Sequence, residues 1–443
     1  MAFLGESRVE RPDFPEGRPG GAARQGQNDR ISRFGHDEGK YRFLLNQIHH
    51  ALLSAASRTG ESAAAALAAL WTFPAVLFSA FVIAWGAEAA QFFMSQGLAL
   101  AILAWLQTLP EFAVEADIAW RQDVPNMTAN FTGSLRLLVG LGWSMIFAVA
   151  TVAHRRKTGK WLEAIVLDEE HAVQVVGLFV PILYFIVIWW KASLTVWDGL
   201  VLVLLYILYL YVLNKMPPRA EEESEELDYV PRKVLALRPG LRGAAIVGLF
   251  LGGGVILYYV THPFVDSLKA LALTAGISEF VFIQWVAPFL SEFPEKVSAF
   301  KWASTVRQAP MALMNMVSSN INQWTVLAAM IPVVYSLSLG TLAAIPFDGM
   351  HRHEILLTIL QSMLGMLLLV NMRYSAWEAA IIFILWLAQF VVPDLREEIM
   401  WVYGGLIVLG VGQIVAGKRK IDAFSTFGRQ WRSRVIAPRP AGR

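Results

Sequence analysis

Long apolar runs, interrupted by short polar connections, govern the chain from residue 70 onward. A bilayer core about 30 Å thick needs roughly 20 apolar residues in a helix to cross it. On that basis the sequence predicts eleven spans, near 70–94, 97–119, 126–152, 172–190, 195–214, 241–261, 273–300, 310–336, 354–371, 375–393 and 399–417. The longest polar connection, "NKMPPRAEEESEELDYVPRKVLALRPG", separates the fifth span from the sixth. Ahead of the first span, residues 1 to about 40 are rich in Arg, Gly and Pro and read as disordered. The stretch "YRFLLNQIHHALLSAAS" reads as a short surface helix.

Within the apolar runs, polar and helix-breaking residues recur at one interval. The first half carries "LQTLPEFAVE", then Pro125, Asn130 and Ser134; the second carries "LSEFPEKVSA", then Pro310, Asn315 and Ser319. Pro110 and Pro294 stand 184 residues apart, and the three later pairs 185 apart. This is an internal duplication. Each half holds five spans, and an odd number inverts the second half against the first, the plan of many secondary transporters. The predicted fold class is an all-α polytopic membrane protein: two inverted five-helix repeats, a ten-helix core, plus one extra C-terminal transmembrane helix. The expected divisions are a basic, largely disordered segment (1–69), the first repeat (70–214), a cytoplasmic linker (215–240), the second repeat (241–393), and the extra helix with a basic tail (394–443).

Composition agrees with this picture. The chain of 443 residues is 56% hydrophobic and only 16% charged, where a soluble protein carries about a quarter charged residues. It has no Cys, which excludes disulfides and thiolate metal sites. The first residues show no secretory leader pattern. Lys and Arg concentrate in the connections after the third, fifth, seventh and ninth spans and in the tail. That asymmetry places the linker and the C-terminus in the cytoplasm and the N-terminus outside. The Arg-rich N-terminal segment runs against it, and the short loops weigh more. The expected location is integral and multi-pass, in the cell (inner) membrane.

The chemistry sits at Pro110-Glu111 and Pro294-Glu295. A proline within a span frees a backbone carbonyl, tolerated in hydrocarbon only where the backbone is buried or lines a cavity. A carboxylate beside it costs about 2.5–3.5 kcal/mol on an insertion scale. Carbonyls plus a carboxylate make a hard-oxygen cation site, suited to Ca²⁺ with its 6–8 oxygen ligands, to Na⁺, or to alternating protonation. Gln107 and Thr108 precede the first Pro-Glu, and Ser291 and Glu292 the second. Asn130 and Ser134 share one helix face, as do Asn315, Ser319 and Gln323. A bland alternative stands beside each: a turn at the membrane surface for the glutamates, an interfacial charge for Glu292, interhelical hydrogen bonding for the amides and serines.

Other charged residues read differently. Arg136 lies about 200° around its helix from Ser134, and is expected to pair with Glu115 or Glu88. Lys296 directly follows Glu295 and is expected to offset its charge. Glu88 and Glu279 suit either an access path or an interface. "HRHE" at 351–354 reads as a solvated helix terminus, and "EEESEEL" at 221–227 as a solvated linker. No phosphate-cradling loop, His-Glu-x-x-His or nucleophile elbow is present. Enzymatic function, ATP-driven pumping and a cofactor are therefore not expected. The expected partners are inorganic cations and the lipid bilayer, with no nucleic acid.

"LQTLPE" and "LSEFPE", followed by "ANFTGS" and "MNMVSSNINQ", resemble the two α-repeats of the sodium/calcium exchanger (cation/calcium antiporter) superfamily, in a divergent bacterial-type form. That family carries Gly-Thr-Ser-x-Pro-Glu and then a Gly-Ser-Asn stretch on the following helix. The resemblance implies secondary antiport of Ca²⁺ or Na⁺ against Na⁺ or H⁺ by alternating access. Glu111 and Glu295 would be the central ligands, with Gln107, Thr108, Ser291, Glu292, Asn130, Asn315, Ser134, Ser319 and Gln323 around them. The chain departs from the family at Leu106-Gln107-Thr108 and Leu290-Ser291-Glu292, and has Leu138 and Gln323 where Asn or Asp is usual. Those departures motivate the alternative of a transport-inactive scaffold or sensor that keeps the fold.

Overall fold

Prolines at matching positions start matching helices. A computed structural model describes residues 67–90, 92–93, 95–216, 229–274 and 282–436. The segment expected to be disordered, the short surface helix, the acidic run and Glu279 lie outside the described residues.

The first repeat comprises α1 (Ala69–Ala90), α2 (Gln96–Gln107), α3 (Leu109–Trp120), α4 (Val124–Leu137), α5 (Ser144–Thr158), β1 (Ala164–Val166), α6 (Ala172–Lys191), β2 (Ser193–Leu194) and α7 (Val196–Asn214). A short helix, α8 (Tyr229–Leu235), lies within the predicted linker. The second repeat comprises α9 (Pro239–Thr274), α10 (Ala287–Ser291), α11 (Phe293–Ser304), α12 (Ala309–Asn322), α13 (Ala328–Leu339), β3 (Ile345–Pro346), α14 (Gly349–Leu369), β4 (Arg373–Ser375) and α15 (Ala376–Val391). α16 (Arg396–Val415) and α17 (Asp422–Gln430) follow.

Among the described residues, eight helices are long and apolar enough to cross a bilayer, or nine when the bent pair Gly97–Gln107 and Leu109–Trp120 counts as one span. Two of the eleven predicted spans are not among these nine. The tenth is a helix of 16 residues. The seventh is divided into a π-helical turn at Phe282–Val286, then α10, then α11 beyond a break at Glu292. The sixth is longer than predicted, because α9 runs for 36 residues through an internal Pro263.

The prolines explain the breaks. By sequence, Pro110 and Pro294 are interruptions inside a continuous span. Each instead stands in the first turn of a new helix, where its missing N–H would have had no partner in any case. Pro125 and Pro310 occupy the same position in α4 and α12.

The duplication extends to features that the sequence does not display. π-Helical turns at Leu138–Trp143 and Gln323–Leu327 follow α4 and α12 at equivalent places. Non-glycine residues in the left-handed region come in repeat-related pairs, Gln122 with Val306 and Ala192 with Met372. Such residues are uncommon and costly when β-branched, so their recurrence marks inherited loop geometry. β1 pairs antiparallel with β4, and β2 with β3. The connection after α5 thus shares one end of the bundle with that before α15, and the connection before α7 shares an end with that before α14. These two ladders exchange under a two-fold axis lying across the bundle, as inverted repeats require.

Packing follows the same axis. α2 lies against α12, and the turn at Phe282–Val286 lies against α4. α3 packs on α13, and α11 on α5. Gly133 on α4 permits the close approach, since a Cβ there would sit 1.9 Å from the carbonyl oxygen of Gln284. Small residues at such crossings are the usual device in membranes. The periphery is apolar and unshielded: Trp190, Tyr258, Trp401 and Val415 are each more than three-quarters exposed. A patch of that kind suits lipid rather than water.

Candidate functional site

Two helix breaks meet at the centre of the bundle. Thr108 separates α2 from α3 with φ −86° and ψ 1°, and Glu292 separates α10 from α11 with φ −93° and ψ 3°. The conformation is the same in both repeats. Each restarted helix carries a glutamate in its first turn, Glu111 in α3 and Glu295 in α11. The partial positive charge of a helix N-terminus favours an anion there. Both side chains are fully buried.

Hydrogen bonds link the repeats. Ser291 Oγ donates to Glu111 Oε2 at 2.7 Å. Ser134 donates to Glu292 Oε1. Gln323 Nε2 donates to the same Oε1 at 2.8 Å and to Ser134 Oγ at 2.7 Å. Asn315 Nδ2 lies 3.4 Å from Gln107 Oε1 and 3.4 Å from Glu295 Oε1, and Ser319 donates to that same Glu295 oxygen. Gln107 Nε2 donates to Ser298 Oγ at 3.4 Å. These bonds form separate buried groups around Glu111, Glu292 and Glu295, and with Asn130, bonded to Glu111, they take in ten of the eleven candidate residues. The exception is Thr108, whose hydroxyl donates back to Ala104 and Trp105 carbonyls at 3.0 Å each.

Two neighbours join them. Asn130 Nδ2 donates to Glu111 Oε1 at 2.7 Å and to Glu115 Oε2 at 2.6 Å, so one amide bridges two carboxylates a turn apart on α3. Glu115 was considered only as a partner for Arg136. Its i, i+4 spacing from Glu111 was the signal that placed it on the site's face. Lys296 directs its hydrogen bond to Glu292 and not to the adjacent Glu295. Its Nζ donates to Glu292 Oε2 at 2.7 Å, one turn back on the same side of the helix.

Several buried acceptor oxygens on these side chains have no donor. They are Glu295 Oε2, Glu115 Oε1, Asn130 Oδ1, Asn315 Oδ1 and Gln323 Oε1. Buried polar atoms are normally satisfied, so a group of oxygens with nothing to accept from has the chemistry of a cation site. Among the described residues no three His, Cys, Asp or Glu side chains converge closely enough to hold a metal ion by themselves. Amide and hydroxyl oxygens have to complete any ligand set.

Arg136 faces away from this cluster, as its helix position predicted, but its partner is neither Glu115 nor Glu88. Its Nη2 contacts Glu354 Oε2 at 2.5 Å and its Nη1 donates to Gln389 at 3.1 Å, with the guanidinium 5.0 Å from the Trp285 ring centroid. Arg396, at the start of α16, takes the other oxygen of Glu354 at 2.5 Å and donates to Gln284 at 2.8 Å. The "HRHE" segment is a helix terminus as expected, but only one side of it is solvated: His353 is exposed and Arg352 half-buried, while His351 and Glu354 are buried. Asp348 caps α14 through the His351 backbone N–H at 2.9 Å, which draws the whole segment into the first turns of α14 and buries His351 and Glu354. Glu88 is buried on α1.

Residues 50–214 and 245–393 match the family described as sodium/calcium exchanger protein. The chain is 31% identical to the H⁺/Ca²⁺ exchanger CAX in its crystal structure, with a TM-score of 0.74 over 83% of this chain and 91% of that one. It is 20% identical to the sodium-calcium exchanger NCX_Mj soaked with Na⁺ and Sr²⁺, with a TM-score of 0.53 over 74% of this chain and 99% of that one. At that identity the likeness is one of fold. A comparison with curated protein sequences finds no match.

Proposed function

Because the chain belongs to the sodium/calcium exchanger family, we propose that it carries Ca²⁺ across the bilayer against a monovalent cation by alternating access, with Glu111 and Glu295 as the central ligands. Cation antiport by a membrane protein is common to the family; the cargo, the ligands and the cycle are the proposal. The observation that carries it is the set of donor-less buried oxygens on Glu295, Glu115, Asn130, Asn315 and Gln323. Together with Glu111 they supply carboxylate and amide oxygens of the hard type and number that Ca²⁺ takes. Ser291 and Ser319 hold the two carboxylates through hydroxyls that can turn their lone pairs toward an arriving ion. Gln107, Ser134, Glu292 and Thr108 complete the surrounding shell.

Both repeats contribute to this centre, so a movement of one repeat against the other changes which end of the bundle it faces. The test is Ca²⁺ uptake into proteoliposomes driven by an imposed proton or Na⁺ gradient. Glu111→Gln and Glu295→Gln are each expected to abolish uptake. Uptake at the unaltered rate in both variants would remove the two glutamates from the mechanism. A protein that folds but neither binds nor moves Ca²⁺ would be the inactive scaffold.

A further inference from the structure

One positive side chain is built into the site. Lys296 Nζ donates to Glu292 Oε2 at 2.7 Å, with the two side chains 1% and 0% exposed. The ammonium also lies 5.7 Å from the Phe289 ring centroid. Glu292 Oε1 is taken by Ser134 and Gln323. Both oxygens of Glu292 are therefore committed, whereas Glu295 keeps Oε2 without a donor. The other charged groups facing the network are Glu111 and Glu115 on α3 and Glu295 on α11. Arg136 on α4 is turned to Glu354 and Gln389. Among the described residues, Lys296 is the one basic side chain joined to these carboxylates by a hydrogen bond.

An ammonium bound to one oxygen of a buried carboxylate, with Ser134 and Gln323 bound to the other, supplies the single positive charge that a monovalent metal cation would bring there. Without the ammonium, one carboxylate oxygen would be bare, with the Ser134 hydroxyl and the Gln323 amide held on its companion oxygen. A tethered charge cannot leave, and it competes with any ion arriving from solution at an effectively high local concentration. Resting on the transport reading above, we infer that Lys296 is a specificity-determining residue. Its ammonium occupies the Glu292 carboxylate in place of Na⁺, so that Na⁺ does not serve as the counter-ion for Ca²⁺.

The experiment uses full-length protein in proteoliposomes, with Na⁺ replaced by N-methylglucamine at constant ionic strength. Wild-type Ca²⁺ uptake is expected to follow an imposed pH gradient and to ignore an Na⁺ gradient at fixed pH. Lys296→Gln is expected to acquire Na⁺-driven uptake, at least about tenfold above wild type, the factor that corresponds to ~1.4 kcal/mol of added binding. Added Na⁺ should also raise its melting temperature in detergent, as any ligand of the folded state does. The double variant Glu292→Gln/Lys296→Gln has neither charge and should lose the Na⁺ response again. A folded, Ca²⁺-stabilised Lys296→Gln without any Na⁺ response overturns the inference. So does Na⁺-driven uptake by the wild type, however the variants fold. Absence of uptake under either gradient in the wild type would instead contradict the transport reading itself.

Discussion

Ser291, on the second repeat, donates its hydroxyl to Oε2 of Glu111, on the first, at 2.7 Å. This bond joins the two helix breaks directly, and it holds a buried carboxylate that has no basic partner of its own. Hydrogen bonds to charged groups contribute about 1.5–3 kcal/mol. Ser291→Ala is accordingly expected to weaken the apparent Ca²⁺ affinity by roughly tenfold or more, read from the concentration dependence of uptake. Unchanged affinity would mean that Glu111 is oriented by other groups.

Gly133 sets how closely the repeats meet. The nearest atom to an added Cβ is the Gln284 carbonyl oxygen, part of the backbone, which cannot rotate aside. Overpacking of a tight contact costs about 1–3 kcal/mol, more where the backbone must shift. Gly133→Ala should lower the melting temperature in detergent and move Ser134 off Glu292, reducing uptake with it. A variant of wild-type stability would show that this crossing is looser than described.

Glu354 is shared by Arg136 and Arg396, one from the site helix α4 and one from α16. Removing one partner of a buried ionic group leaves uncompensated charge and costs about 3–5 kcal/mol. Glu354→Gln should therefore melt at a distinctly lower temperature, while the protein that remains folded keeps its choice of cations. A changed cation preference with unchanged stability would assign Glu354 to the transport path instead.

The repeat was legible because its marks are local. Pro-Glu, Asn and Ser recur at a nearly constant interval inside apolar sequence, and each is conspicuous there by type alone. From that interval followed the inverted plan, and Glu111, Glu295, Asn130, Asn315, Ser134, Ser319 and Gln323 are all buried and hydrogen-bonded in the interior. What stayed hidden depended on geometry that adjacency misrepresents. Lys296 touches Glu295 in the sequence but reaches Glu292, because residues four apart share a helix face and neighbours do not. The partner of Arg136 lies 218 residues away, and no spacing rule selects Glu354 over Glu115. Polar "HRHE" reads as surface by type, yet the Asp348 cap carries it into the first turns of α14, where two arginines hold Glu354 in the interior while His353 stays exposed.

Equilibrium binding of radioactive Ca²⁺ to the purified protein in detergent, at fixed pH, tests the central claim most directly. The wild type should bind saturably, while Glu111→Gln and Glu295→Gln, both still folded by their melting curves, should each bind at least about a hundredfold more weakly, a loss of ~2.7 kcal/mol. Binding of wild-type strength in either variant would contradict the claim that this buried pair holds the ion.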